Sequence, residues 1–291
     1  MSIFDQDNQP FDDANLALHI ERALAIAAPD DRLDAVIYRI VQRLFKPTLV
    51  NTENVPEQPC LFIGNHALFA FDGAILAPTM LRQMGRFLRP LGDKFLWNSA
   101  SEEFLLRRGA VIGHPDVCAA LMDAGEDLLV FPGGAHEATK TEAERYTLLW
   151  KQRLGFVRMA AYHGYRIMPF AMVGPDEFYS HLVEGEDLPD TALGKLLTQL
   201  GVFNENTRPD MLPPVPLGAL GSLFPKPQRC YIQFGEAVDL SAYRGKKLGK
   251  KQLHTLRQQV ADDIEEMLGD LLRYRERHKR EDGLLRRLLT V

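Results

Sequence analysis

The sequence has few cysteines, and their spacing indicates neither a disulfide framework nor a zinc site. Cys60, Cys118 and Cys230 are widely separated and odd in number, whereas disulfide scaffolds and zinc sites use closely spaced cysteines. We therefore predict a protein of a reducing compartment that binds no metal.

Long hydrophobic runs are also missing. Nowhere do about 18 apolar residues follow one another, which is the length that a membrane-spanning helix requires. The first residues lack the basic and apolar regions of a signal peptide. We therefore predict a cytoplasmic protein whose contact with a membrane is peripheral, at the inner face.

Composition and charge are those of an ordinary globular protein. Of the 291 residues, 46% are hydrophobic and 25% charged, enough for one large α/β domain with appendages or for two small domains. The formal charge of -5 argues against wholesale nucleic-acid binding. Residues 1–31 hold seven acids and one base, which predicts a loosely held leader.

The C-terminal end has the opposite charge. Residues 273–287 hold seven bases and three acids, so they form either a solvated helix face or a patch for membrane lipid headgroups, with RNA binding the weaker alternative. A helix over 249–277 is predicted before this tail. Residues 200–227, rich in Pro, Gly and apolar side chains, are predicted to be a long irregular excursion that forms a substrate-tunnel wall or a membrane contact.

Residues 32–46 are predicted to form a basic amphipathic helix, preceded by the N-cap signal of Asp31. Its apolar residues fall on one face, whereas Arg39, Arg43 and Lys46 share the other. The helix either packs on the domain as an ordinary surface helix or lies in the headgroup layer with its basic residues on phosphates.

The middle of the chain alternates between short apolar runs and helical stretches. The predicted strands are 60–63, 86–90, 110–112, 128–131, 167–173 and 231–234, and the predicted helices between them are 73–84, 94–106, 115–124 and 148–163. This alternation predicts an α/β fold with a mostly parallel central sheet flanked by helices. In such sheets the chemistry gathers at the carboxyl ends of the strands.

The first segment able to carry chemistry is GNHALFAFDG, residues 64–73, which follows a predicted strand. His66 can accept a proton at neutral pH, and Asp72 can orient its ring and stabilise the imidazolium. The segment has no serine or cysteine, so direct attack by a bound substrate hydroxyl is simpler than a nucleophilic triad. By itself, a histidine beside a strand is also compatible with a structural role.

The second segment is LLVFPGGAHEA, residues 128–138, another strand that runs into a glycine pair. Gly133 and Gly134 allow the backbone to approach a ligand, and successive N–H groups there can converge on an oxygen. A tight structural turn would need the same glycines. In isolation, the pattern favours a structural role for His136 over substrate contact, and a solvated loop acid for Glu137.

Taken together, the Asn65-His66 pair, Asp72 and the later FPGGAHEA string resemble the lysophospholipid and diacylglycerol acyltransferase superfamily, in the branch with the FPGG-x-x-E-A motif. The resemblance covers about residues 59–177 and implies a glycerolipid acyltransferase-like fold. It implies that His66 is the general base and Asp72 its partner. The substrate-binding residues that it implies are Asn65, Arg108, Gly133, Gly134, His136 and Glu137, with Arg107 an equal alternative to Arg108.

Two departures from the commoner family pattern bear on the substrate. Five residues separate His66 from Asp72 where four are usual, so the loop and the helix start must bring the two side chains together. Gly133 stands where phosphatidate-forming members carry Glu. The second departure favours a neutral mono- or diacylglycerol or a long-chain alcohol as acceptor, with another lysophospholipid as the open alternative.

The prediction as a whole is an acyltransferase that works at a membrane surface. It moves a fatty acyl group from acyl-CoA or acyl carrier protein, consumed as substrates, to a glycerolipid-type hydroxyl, and it needs no metal or redox cofactor. We predict three regions: a leader and interfacial helix (1–49), an acyltransferase domain (50–245), and a C-terminal helix with a basic tail (246–291). The alternatives are a lipid esterase or hydrolase and a non-catalytic lipid-binding protein.

Overall fold

A computed structural model describes residues 13–98, 100–200 and 212–290. The strands are β1 (Thr48–Val50), β2 (Cys60–Gly64), β3 (Leu88–Gly92), β4 (Val111–Ile112), β5 (Asp127–Val130), β6 (Arg166–Val173), β7 (Ser180–Val183), β8 (Val215–Leu217) and β9 (Tyr231–Phe234). The helices are α1 (Asp13–Ala25), α2 (Arg32–Phe45), α3 (Phe71–Met84), α4 (Glu102–Arg107), α5 (Pro115–Asp123), α6 (Gly134–Glu137), α7 (Gly155–His163), α8 (Ala192–Gln199), α9 (Lys250–His278) and α10 (Leu284–Leu289).

A seven-stranded sheet in the order β1-β9-β6-β2-β5-β3-β4 forms the centre of the described fold. Its neighbouring strands are parallel except β6 and β9, which are antiparallel. The predicted mostly parallel sheet is therefore confirmed. Strand β2 lies between β5 and β6 with matching direction, so the chain segments that follow β2 and β5 leave the sheet at the same edge.

Helices cover both faces of this sheet. Successive side chains of a strand point to opposite faces, so an apolar strand needs packing partners on each side. Leu61 and Ile63 of β2 pack into one core with α1, α5, α7 and α9. Cys60 and Phe62 pack into the other core with α2 and α3. Near-continuous apolar strands are expected when both faces are buried.

Two predicted helices are shorter than the sequence pattern suggested. The 94–106 stretch is interrupted because the Asn98 side chain accepts hydrogen bonds from the N–H groups of Ala100 (2.9 Å) and Ser101 (3.0 Å), a local pattern that competes with helix. The 148–163 stretch is helical only from Gly155. Before it, Lys151 adopts a positive φ of 49°, which ends any regular helix.

The prediction of a loose N-terminal leader is wrong for residues 13–25, which form α1. His19 is buried and accepts a hydrogen bond from the Ile112 N–H (3.1 Å), and burial lowers the pKa of His19 to about 4, so the ring is neutral. The fully buried Arg89 donates to the Ala23 carbonyl (2.6 Å). Tertiary contacts of this kind stabilise a short helix that would be marginal by itself. Residues 1–12 of the predicted leader lie outside the described residues.

The predicted irregular excursion over 200–227 is mostly irregular in its described part, with two short exceptions, β8 and a 3-10 turn at Ala219–Gly221. Strand β8 pairs with β7 in a separate two-stranded sheet, and residues 201–211 lie outside the described residues. The C-terminal helix α9 is confirmed within one residue at each end and packs against β6 and β9. In the described parts of the chain, no helix combines the length and apolar character needed to cross a bilayer.

Candidate active site

The two glycine-containing segments meet where β2 and β5 end. The His66 backbone N–H donates to Glu137 Oε1 (2.9 Å), and the Phe69 N–H donates to the Ala138 carbonyl (3.1 Å). Residues that are about 70 positions apart in sequence are thereby joined, because β2 and β5 are parallel neighbours. The carboxyl edge of the sheet is where such folds place their chemistry.

His66 and Asp72 form a buried hydrogen-bonded pair, with 2.7 Å between Nδ1 and Oδ2. The chain reverses between them because Phe69 and Ala70 adopt left-handed backbone conformations, with φ of 57° and 58°. Asp72 then lies in the first turn of α3, fully buried, and also accepts from the N–H groups of Ala67 and Gly73. This geometry agrees with the expectation that the loop and the start of the helix bring His66 and Asp72 together.

The surroundings of the His66 ring leave one nitrogen for chemistry. Asp72 engages Nδ1, and the Phe131 ring stacks on the imidazole with 4.3 Å between centroids and 7° between planes. A carboxylate on Nδ1 favours the tautomer in which Nε2 is the unprotonated nitrogen. His66 is 8% exposed, so it is nearly excluded from bulk water.

Replacing Asp72 by Asn should lower kcat by roughly 10²- to 10⁴-fold while KM changes little, since an amide facing Nδ1 stabilises the wrong tautomer of His66. Steady-state kinetics of the purified variant measure the loss. Asp123→Asn is a matched control, because Asp123 pairs with His163 at the surface (3.0 Å). A kcat within about threefold of wild type for Asp72→Asn would contradict an orienting role.

The glycine pair forms a tight turn. Gly134 has a φ of 53°, and its N–H donates to the Phe131 carbonyl (3.0 Å), so this N–H is already used within the turn. Arg153 closes over the turn and donates to the Pro132 carbonyl (2.6 Å). Gly134 therefore has the role of a tight-turn residue, which the sequence analysis gave as the alternative to ligand binding.

Sequence reasoning missed a buried charged pair, Lys140 and Asp176, that lies beside Glu137. Lys140 Nζ is 3.1 Å from Asp176 Oδ2, and their side chains are 2% and 1% exposed. The Tyr146 backbone N–H also donates to Asp176 Oδ2 (2.7 Å). Asp176 follows the end of β6, the third central strand, so its position at a strand end was the available signal.

The other predicted site residues have separate surroundings. The buried Asn65 amide bonds both the N–H (2.8 Å) and the carbonyl (3.0 Å) of Met172 in β6, so it ties β2 to β6. Arg108 pairs with Asp31 (3.1 Å) and lies 3.8 Å from Asp34, at the start of α2. His136 lines a cavity of about 170 Å³ together with Lys140 and Glu144.

Comparison with known proteins identifies the family of this chain. Residues 55–200, half of the chain, match the profile of the family described as diacylglycerol acyltransferase. The protein belongs to this family.

Curated relatives include two plant enzymes and one from chicken. Phytyl ester synthase 2, chloroplastic, of Arabidopsis thaliana is 25% identical over 81% of this chain and 35% of its own length. Phytyl ester synthase 1, chloroplastic, is 26% identical over 76% and 34%. The DGAT1/2-independent enzyme synthesizing storage lipids of Gallus gallus is 28% identical over 37% and 32%. The chain spans about a third of the length of each plant relative.

Among solved structures, the 1-acyl-sn-glycerophosphate acyltransferase of Thermotoga maritima covers 86% of this chain and 87% of its own, with 13% identity and a TM-score of 0.45.

Proposed function

We propose that the protein is an O-acyltransferase that moves a fatty acyl group from a thioester to the hydroxyl of a lipid acceptor. The observation that carries the proposal is the buried His66–Asp72 pair, with 2.7 Å between Nδ1 and Oδ2, at the edge where β2 and β5 end. Family membership and the names of the relatives support the same reaction class.

In the proposed mechanism, His66 Nε2 takes the proton of the acceptor hydroxyl as its oxygen attacks the thioester carbonyl. Asp72 stabilises the imidazolium that forms. The C–S bond then breaks, the thiolate takes the proton from the imidazolium, and a new ester and a free thiol leave. The acyl donor, acyl-CoA or an acylated carrier protein, is a substrate. The proposed reaction steps need no metal or redox cofactor.

The charges around the site favour an acceptor that is neutral near its reacting hydroxyl. Asp72, Glu137 and Asp176 bring three buried carboxyl groups together, and the buried base beside them, Lys140, is already paired with Asp176. These four side chains offer a phosphate no unpaired cation, and any of the carboxyl groups that is ionised would repel it. The preferred acceptor is therefore a mono- or diacylglycerol or a long-chain alcohol, with a lysophospholipid as the second choice.

A product assay tests this proposal. The purified protein is incubated with radiolabelled acyl-CoA or acyl carrier protein and, separately, with monoacylglycerol, diacylglycerol, a long-chain alcohol, lysophosphatidylcholine, lysophosphatidate or buffer. A new labelled ester is the expected result. Labelled free fatty acid without ester would identify a hydrolase, and no product with any acceptor would identify a non-catalytic lipid binder; either result overturns the proposal.

We further propose that the protein binds peripherally to a membrane surface through a set of exposed apolar side chains. Helix α2 buries Val41 and Phe45 against α3, so it packs on the domain. Other apolar residues of α2 and α10 are exposed by 39% to 79%: Leu33, Val36, Ile40, Leu44, Leu284, Leu285 and Leu288. We call this set the leucine face.

The two parts of the leucine face are joined by Arg286. Its guanidinium donates to the carbonyls of Leu44 (2.6 Å) and Arg43 (3.2 Å) at the end of α2, and to that of Pro227. Arg39 and Arg43 lie on α2 and Lys46 follows its last residue, and all three residues are exposed. Exposed apolar side chains flanked by bases fit an anionic headgroup layer.

Replacing Val36, Ile40 and Leu44 together by Gln should lower binding to anionic vesicles by at least about tenfold, because burial of each such side chain contributes roughly 1.5–3 kcal/mol. The triple replacement of Leu284, Leu285 and Leu288 should act in the same direction. Vesicle flotation measures the bound fraction. Tyr162→Gln is the control, since this exposed residue lies on α7, over the opposite face of the sheet. Unchanged flotation of both triple variants would contradict the membrane role.

A further inference from the structure

The Glu137 carboxyl group is directed at the polypeptide backbone. Glu137 is fully buried, and its Oε1 accepts the hydrogen bond from the His66 backbone N–H (2.9 Å). Its Oε2 has no hydrogen-bond partner in the part of the chain that the structure describes. The carboxyl group therefore contacts the backbone of the residue whose ring carries the chemistry.

The absence of a side chain at residue 133 makes room for this carboxyl group. A methyl group built on Gly133 would lie 2.6 Å from Glu137 Cδ and still closer to its Oε2 and Cβ. Cβ atoms do not approach other heavy atoms this closely without a shift of one of them. Glycine at 133 and glutamate at 137 are thus coupled by packing, four residues apart across α6.

We propose that Glu137 is a positioning residue: its carboxyl oxygen holds the His66 backbone in place, and Gly133 is glycine so that this carboxyl group fits. The inference rests on the proposed acyltransferase function and deepens it. It gives Glu137 a role through His66, whereas the family resemblance implied contact with substrate.

His66 is then held from three directions by three different interactions. Asp72 binds Nδ1, the Phe131 ring covers one face of the imidazole, and Glu137 fixes the main chain. The backbone contact matters because the segment after His66 passes through the left-handed residues Phe69 and Ala70, where the chain forms only a kinked 3-10 turn. Misplacement of a catalytic group by about 1 Å can cost 10²-fold in rate.

The hydrogen bond needs an acceptor oxygen and does not depend on a full negative charge. Burial raises the pKa of Glu137 to about 7, so the neutral form is present at neutral pH. Both forms of the carboxyl group keep an oxygen that accepts the His66 N–H. A glutamine side chain of the same length offers such an oxygen as well.

The first test compares Glu137→Ala with Glu137→Gln. Alanine leaves the His66 N–H without its acceptor, and we expect kcat to fall about 10- to 100-fold with KM changed by less than about threefold. Glutamine should keep kcat within about fivefold of wild type, because it can accept the same hydrogen bond. Full activity of Glu137→Ala would overturn the inference, and so would a Glu137→Gln variant as slow as Glu137→Ala.

The second test concerns the coupling of residues 133 and 137. Gly133→Ala should lower both the melting temperature and kcat, because the methyl group displaces the Glu137 carboxyl group. The double variant Gly133→Ala/Glu137→Gly should regain melting temperature without regaining kcat. Gly155→Ala is the matched control, since a methyl group there meets no atom within 4 Å. A Gly133→Ala variant with wild-type kcat and melting temperature would overturn the coupling.

A spectroscopic test separates this inference from the proposed reaction. The proton shared by His66 Nδ1 and Asp72 should give a downfield NMR resonance, assigned by its loss in Asp72→Asn. The resonance should shift or broaden in Glu137→Ala and stay in place in Glu137→Gln, whether or not the protein transfers acyl groups. An unchanged resonance in Glu137→Ala would overturn the positioning role while leaving the proposed function standing.

Discussion

His66→Ala is expected to lower the rate of acyl transfer by about 10²- to 10⁴-fold, the contribution that a positioned general base usually makes. The physical reason is that no other described side chain replaces Nε2 opposite the Asp72 hydrogen bond. Without a base, the acceptor hydroxyl must attack the thioester while it still carries its proton. Single-turnover transfer from labelled acyl-CoA measures this loss directly.

The controls separate lost chemistry from lost folding. His66→Gln keeps more of the side-chain volume against Phe131 and should be as inactive as alanine, with a melting temperature closer to wild type. His163→Ala removes a histidine that pairs with the exposed Asp123 away from this site and should keep full activity. Near-normal turnover in folded His66→Ala would refute the general base and, with it, the proposed mechanism.

Lys140→Met is expected to destabilise the fold by about 3–5 kcal/mol, since removing one partner of a buried ion pair leaves an uncompensated charge. Asp176 would remain 1% exposed without its cation. Denaturant unfolding followed by circular dichroism measures the free energy of unfolding. Lys246→Met is the control, because Lys246 is exposed and its Nζ donates to the Ala242 carbonyl.

The loss caused by Lys140→Met should depend on pH with a defined sign. Burial raises the pKa of Asp176 even with Lys140 in place. A carboxyl group whose pKa is raised in the folded state binds its proton more tightly there than in the unfolded chain. Proton binding therefore stabilises the fold at low pH, and this stabilisation is lost as pH rises through the raised pKa. The variant should therefore be less destabilised at about pH 5 than at about pH 8.

A double variant completes this test. Lys140→Met/Asp176→Asn carries no charge at either position, and the asparagine oxygen can still accept the hydrogen bond that the Tyr146 N–H donates to Asp176 in the wild type. It should recover a large part of the lost free energy of unfolding, as replacement of a whole buried ion pair often does. A double variant no more stable than Lys140→Met would show that the pair is not the source of the loss.

Local sequence patterns identified the buried strands and the segments that carry the site. Strands β2, β5, β6 and β9 lie within one or two residues of their predicted positions, because apolar runs bounded by Gly or Pro are typical of strands buried on both faces. The same patterns placed His66 and Gly133 just after strands. They failed at α1, which was assigned to a loose leader because residues 1–31 as a whole are acidic, and which packs against α5 and Arg89.

Contacts between segments decided the surroundings of the polar side chains. Asn65 was predicted to bind substrate, yet its amide bonds Met172 in β6. Arg108 was also implied to bind substrate, with Arg107 the equal alternative, and in the structure it pairs with Asp31. Neither partner is near in sequence, so residue type and spacing could not predict these contacts.

By itself, the sequence determined an α/β sheet with a histidine and an aspartate beside the end of β2 and a glycine turn at the end of β5. Those features depend on hydrophobic periodicity and on backbone preferences, which act over a few residues. Only the tertiary structure decided that the Glu137 carboxyl group reaches the His66 backbone and that Lys140 meets Asp176 in the interior. Such pairings depend on strand order and on which side chains share a buried volume, and neither is encoded in local spacing.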